Sequence, residues 1–179
     1  MLDISLIKDL RQFLQEARQK GYASGATGKK MKDGCCRFRH KKGKFVYVDT
    51  YAGSNPFMGQ EVILYEGKRI WMIQYYGGVS DNYILGDWPL LSGRSFIKQV
   101  YAFLRKALLV GTVLTKKGES DFSSGMRGPN YFNANGFVYV DRTVPNSNLA
   151  VFRGAERIRV ASSGKLVYEL VYHGGLLAD

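Results

Sequence analysis

Cysteine and histidine are nearly absent, at two residues each in a chain of 179. The cysteines are adjacent, Cys35 and Cys36, so they cannot build a disulfide framework, and such usage fits a reducing compartment. Cys35, Cys36 and His40 have no second cysteine pair or spaced histidines to complete a four-ligand zinc site, so neither metal nor cofactor is expected. Long apolar runs are also missing. Stretches such as Ala107 to Val110 fall far short of the roughly 20 residues that span a bilayer. The opening Met1-Leu2-Asp3-Ile4-Ser5 lacks the charged-then-apolar layout of a secretory signal. The expectation is a cytoplasmic protein with no membrane partner. Acidic residues are few as well, 15 against 26 Lys and Arg, for a formal charge of +11. What is plentiful is apolar material, 45% of the chain, enough to bury a real core.

The chain also repeats itself. Phe45-Val46-Tyr47-Val48-Asp49 recurs unchanged as Phe137-Val138-Tyr139-Val140-Asp141. Upstream, Phe13-Leu14 answers to Phe103-Leu104; downstream, Phe57, Gly59, Glu61 and Ile63 answer to Phe152, Gly154, Glu156 and Ile158. Tyr75, Gly77 and Gly78 then match Tyr172, Gly174 and Gly175, and the offset between matched pieces grows in chain order, as loop insertions would make it. This reads as a tandem duplication, with a first unit over residues 1–78, a connector over 79–91 and a second unit over 92–179, packed as one protein.

Each unit opens with an amphipathic helix. Leu6, Ile7, Leu10, Phe13, Leu14 and Ala17 recur at helical spacing behind a Ser5 cap, with Gly21 placed to end the helix. Phe96, Ile97, Val100, Phe103, Leu104, Ala107 and Leu108 do the same behind Ser92 or Ser95. Arg11, Arg18, Arg94 and Arg105 fall on the opposite faces and read as solvated. Hairpins follow, pairing Cys36–His40 with Phe45–Asp49 and Glu61–Tyr65 with Ile70–Tyr76, then Tyr131–Phe132 with Phe137–Asp141 and Glu156–Val160 with Val167–His173. The predicted fold class is therefore α+β, a tandem duplication of a helix plus up to four antiparallel strands. Alternation puts Trp71, Ile73 and Tyr75, and likewise Tyr168, Leu170 and Tyr172, on a core face, with Met72, Gln74, Tyr76 and Glu169, Val171, His173 on the other.

Several of these segments together resemble a bacterial and archaeal domain family of unknown function that often lies C-terminal to Xre-type helix-turn-helix regulators. The matching pieces are Tyr22-Ala23-Ser24-Gly25, Asp49-Thr50-Tyr51-Ala52-Gly53, Phe57-Met58-Gly59-Gln60-Glu61, Trp71 to Gly77, and the closing Val167 to Gly175. The resemblance spans Leu10 to Gly175 and carries no established activity. It implies the sensing half of a regulator. Because the chain begins at the family's first helix, that role is expected either to need a separate DNA-binding partner or to be absent. The long connections 79–91 and 111–130 are candidates for a function private to this protein.

Three kinds of chemistry follow from the residues. Asp49, Glu61, Asp141 and Glu156 fall at equivalent places in the two units, and with Tyr76 and His173 they form the expected ligand site at the junction of the repeats. This favours a non-enzymatic regulatory or binding module for a small molecule or protein partner. The alternative is direct binding of DNA or RNA by the basic segment 29–44, where Lys29, Lys30, Lys32, Arg37, Arg39, Lys41, Lys42 and Lys44 stand against the single Asp33, among Phe38 and Phe45. The bland readings are acids that accept turn amides or pair with Lys68 and Lys165, and a solvated hairpin. Paired carboxylates also leave an acid–base hydrolase as a residual reading, although no nucleophile, base and orienter set is visible and no catalytic residue is assigned. Gly21, Gly25 and Gly28-Lys29-Lys30 do not make a phosphate loop. They follow a helix, and Lys30 stands where a serine or threonine is required.

Overall fold

A computed structural model describes residues 3–80, 93–114 and 126–177. Helix α1 (Ile4–Lys20) buries Leu10, Phe13, Leu14 and Ala17, the stripe expected from their spacing. Gly21 ends the helix, its N–H donating to the Arg18 carbonyl. Asp3, not Ser5, holds the N-cap position, and the Ser5 hydroxyl donates back to the Asp3 carboxylate at 2.7 Å. A 3-10 turn over Tyr22–Ser24 leads into five strands: β1 (Lys29–Lys30), β2 (Cys36–Lys42), β3 (Phe45–Gly53), β4 (Phe57–Tyr65) and β5 (Lys68–Val79). After α2 (Gly93–Leu114) come β6 (Phe132–Ala134), β7 (Phe137–Thr143), β8 (Val151–Val160) and β9 (Leu166–Leu176). Ser95 lies inside α2, and the other expected cap, Ser92, lies outside the described residues, as do most of the two long connections.

The strands correct the expected fold class. They do not form two helix-plus-four-strand units; they join one antiparallel sheet of nine strands in the order β1-β2-β3-β4-β5-β9-β8-β7-β6. The described residues form a single large sheet with two helices, richer in strand than the predicted α+β duplication. The physical reason lies at the centre. β5 and β9 pair over nine residues, from Trp71 opposite Leu176 to Val79 opposite Tyr168, so each covers an edge that a free-standing unit would leave unpaired.

Alternation along the strands divides the sheet into two unlike faces. Tyr47, Ile63, Trp71, Ile73, Tyr75, Tyr139, Ile158, Tyr168, Leu170 and Tyr172 lie in the core under the helices. Phe13 of α1 stacks on Phe45 at 5.1 Å between ring centres, and Phe103 of α2 stacks on Phe132 at 5.5 Å, which seats the helices over opposite halves of one face. The other face carries no helix among the described residues and leaves Met58, Tyr76 and Val171 exposed. No described helix is long and apolar enough to cross a membrane.

Candidate functional site

The two copies of Phe-Val-Tyr-Val-Asp lie on β3 and β7, and each places its aspartate opposite a glutamate of the next strand. Asp49 is in register with Glu61, and Asp141 with Glu156. All four carboxylates point to the helix-covered face, where Glu61, Asp141 and Glu156 are almost wholly buried. Buried charge needs partners. Arg18 of α1 supplies one, its Nε donating to Glu61 Oε2 at 2.8 Å while its Nη1 donates to the Met126 carbonyl. Arg127 supplies the other, with Nη1 on Glu61 Oε1 at 2.7 Å and Nε on Glu156 Oε1 at 3.3 Å, so one guanidinium ties the two halves of the sheet together.

Tyrosines complete the network. Tyr75 and Tyr172 face each other across the β5–β9 ladder and donate, at 2.6 Å each, to Asp49 and Asp141 respectively. Each ring lies over a glycine of the neighbouring strand. A Cβ on Gly59 would stand 2.5 Å from the Tyr75 hydroxyl, and one on Gly154 the same distance from that of Tyr172. Tyr139 and Tyr168 both donate to Glu156, at 3.0 and 3.3 Å. Burial, and then the Glu61 and Glu156 charges opposite, push the carboxyls of Asp49 and Asp141 up to about 7. Glu61 shifts the other way, because Arg18 and Arg127 outweigh its burial and hold it below the usual carboxylate range. Burial disfavours the charge on Arg127, but Glu156 and Glu61 more than offset this, and the guanidinium stays protonated.

The two aspartates differ in one respect. Asp141 Oδ2 accepts two backbone N–H groups, from Arg127 at 2.8 Å and Gly128 at 2.9 Å, so the chain itself closes that site. Asp49 accepts only the Tyr75 hydroxyl among the described residues and is partly open. It lines a cavity of about 270 Å³ between α2, the 3-10 turn and the sheet. Tyr22, Tyr51, Phe57 and Tyr101 give this cavity aromatic walls, with Arg105 and Arg127 on its lining. Tyr101 is fixed by its hydroxyl, which donates to Asn55 Oδ1 at 2.7 Å, while Asn55 clamps both backbone groups of Val79.

Of the six expected ligand residues, the structure therefore gathers Asp49, Glu61, Asp141 and Glu156. Tyr76 and His173 lie on the opposite, uncovered face and cannot reach the acids, since even-numbered residues of β5 and odd-numbered residues of β9 point away from the helices there. The acids pair with arginines, not with Lys68 or Lys165, and Asp141 does accept turn amides. Arg18 and Arg105, expected to be solvated, turn inward to the network and the cavity; Arg127 in the second connection went unnoticed. The repeated pair of acids was itself the available signal, because buried carboxylates demand cations. The basic segment is divided: Lys29, Arg37, Arg39 and Lys41 line the uncovered face, Lys42 pairs with Glu16 and Lys44 with Glu66, Lys30 sits in β1 and Lys32 in the turn that follows. Among the described residues no group of three His, Cys, Asp or Glu is placed to hold a metal ion.

Comparison with known proteins gives one match. No curated protein and no solved structure matches the chain. A family model described as a domain of unknown function, DUF5680, matches residues 49–177, from the end of the first repeated pentapeptide through β9. The match takes in all four repeated acids, both central tyrosines and Arg127, while α1 and the whole basic segment precede it. With well over half of its length covered, the chain belongs to the DUF5680 family.

Proposed function

We propose that this protein is a non-enzymatic binding module that holds a small planar molecule bearing N–H groups, with Asp49 as its anchor. The observation that carries this reading is the contrast between the two aspartates. At Asp141 the second carboxylate oxygen accepts a pair of N–H donors from the chain, whereas Asp49, with no such donors among the described residues, lines an aromatic cavity of about 270 Å³. A ligand that presents N–H donors to Asp49 and a flat ring to Tyr22, Tyr51 and Tyr101 completes the same arrangement from outside. The other three acids are already committed to arginine, tyrosine and backbone donors, which supports binding over acid–base turnover. The resemblance to domains that follow Xre-type helix-turn-helix units supports a regulatory use of such a site.

A thermal-shift screen of aromatic amines, amidines and nucleobase-like heterocycles tests the proposal. A ligand at a hundred times its Kd stabilises the fold by about 2.7 kcal/mol. The expected result is a stabilising compound whose effect disappears in Asp49→Ala. A panel with no hit, or a hit that Asp49→Ala binds equally well, overturns the reading.

A further inference from the structure

The uncovered face carries a feature that no single strand reveals. Cross-strand register aligns Lys29 of β1 with Arg37 of β2 and Thr50 of β3, then with Gln60 of β4 and Gln74 of β5, and finally with His173 of β9 and Arg153 of β8. This is one continuous row of hydrogen-bonding side chains running across seven strands, cationic at both ends. At about 4.8 Å per strand the row is about 29 Å long. Apolar neighbours flank it: Met58, Tyr76 and Val171 form the next row on one side, Val62 and Met72 the next on the other. Two depressions, of about 480 and about 620 Å³, lie along the row and share Gln74 and His173, so the face is grooved in the same direction.

Cations predominate on this face. Arg39, Lys41, Arg142 and Arg159 add to the cations of the row, and the one strand carboxylate that points this way among the described residues, Glu169, is taken by Arg157 at 2.7 Å. We infer that the groove binds single-stranded nucleic acid laid across the strands. The cationic row ends and flanks meet phosphates, the amides of Gln60 and Gln74 offer both donors and acceptors to base edges, and the exposed rings of Tyr76 and His173 offer stacking surfaces. An acidic peptide fits less well. Peptides join sheets by adding a strand to a free edge, whereas this groove crosses the middle of the sheet, where backbone groups are already paired. The site differs from the basic segment as a whole, because it excludes Lys32, Lys42 and Lys44 and includes residues far along the chain. It does not depend on the Asp49 cavity, which opens on the other face.

Fluorescence anisotropy of labelled 12-nucleotide DNA and RNA strands with the full chain, over a salt series, tests the inference. The wild type should bind, with log affinity falling as log salt rises. Arg37→Ala with Arg153→Ala should flatten that slope by about 1.4, at about 0.7 for each lost phosphate contact on a single strand. Tyr76→Ala and His173→Ala should each weaken binding at least about fivefold, the low end for a lost stacking contact, with the slope unchanged. Lys32→Ala with Lys42→Ala and Lys44→Ala should leave affinity within about twofold. All these side chains are exposed or at surface ion pairs, so circular dichroism serves to confirm that the variants fold. Absence of binding at low salt overturns the inference. So does loss of binding in the Lys32, Lys42 and Lys44 variant with retention in the Arg37 and Arg153 variant, or equal competition by polyglutamate.

Discussion

At mildly acidic pH, between about 4 and 7, Asp49 and Asp141 hold a proton in the folded state that the unfolded chain, with its ordinary aspartate value near 3.8, has already released. Their protonation therefore favours the fold fully below about 4, and that stabilisation is lost as pH rises through about 7. Glu61 has the opposite sign. Its folded value lies below the usual 4.5, so its contribution is present above that pH and lost on acidification. Between pH 5 and 8 the aspartates dominate, and unfolding free energy from denaturant titrations should decline with pH. Each aspartate contributes at most about 1.4 kcal/mol per pH unit. Asp141→Asn should show a shallower decline than the wild type, and equal slopes would show that Asp141 does not titrate in this window. The sequence displayed these aspartates through the repeated pentapeptide, yet it hid the cations that pair with the glutamates opposite them. Arg18 sits at the margin of an amphipathic stripe, where an arginine that snorkels to water and one that bridges to a buried glutamate look the same. Only the packing of α1 over Glu61 distinguishes them.

Elements were easier to read than their extents. Alternation located the strands that carry Trp71, Ile73, Tyr75 and Tyr168, Leu170, Tyr172, because half-buried strands repeat every second residue. It missed the first part of β4, where Phe57, Gly59 and Glu61 alternate with Met58 and Gln60, since a glycine in a core position conceals the period. That glycine and its counterpart Gly154 have a packing role: each leaves room for a tyrosine ring from the next strand. Gly154→Ala places a methyl group 2.5 Å from both the Tyr172 hydroxyl and the Arg142 carbonyl oxygen. Overpacking of this kind costs about 1–3 kcal/mol. For a protein of this size the melting temperature should fall by about 2–4 °C per kcal/mol. An unchanged melting temperature would mean that the ring can leave β8 without loss.

At the scale of the molecule, the sequence suggested two units and the structure joins them. Repetition in a sequence marks similar elements but does not say which edges meet, and here the last strand of each half meets the other at the centre. Arg127, bridging Glu61 and Glu156, adds a charged tie across that seam. Residues 1–92 and 93–179 expressed separately should therefore give unfolded spectra, and co-expressed they should associate into a folded complex. Two independently folded fragments would restore the two-unit architecture. The same sheet tapers towards its rims, from nine paired residues at the seam to a two-residue β1 at one end and a three-residue β6 at the other. Where β1 stops, the edge of β2, unpaired among the described residues, carries Arg39, Lys41 and Lys42. A second copy approaching this edge meets Arg39 and Lys41, cations of the same sign as its own, so even in a concentrated solution the growth of the sheet from one molecule into the next is disfavoured at this rim.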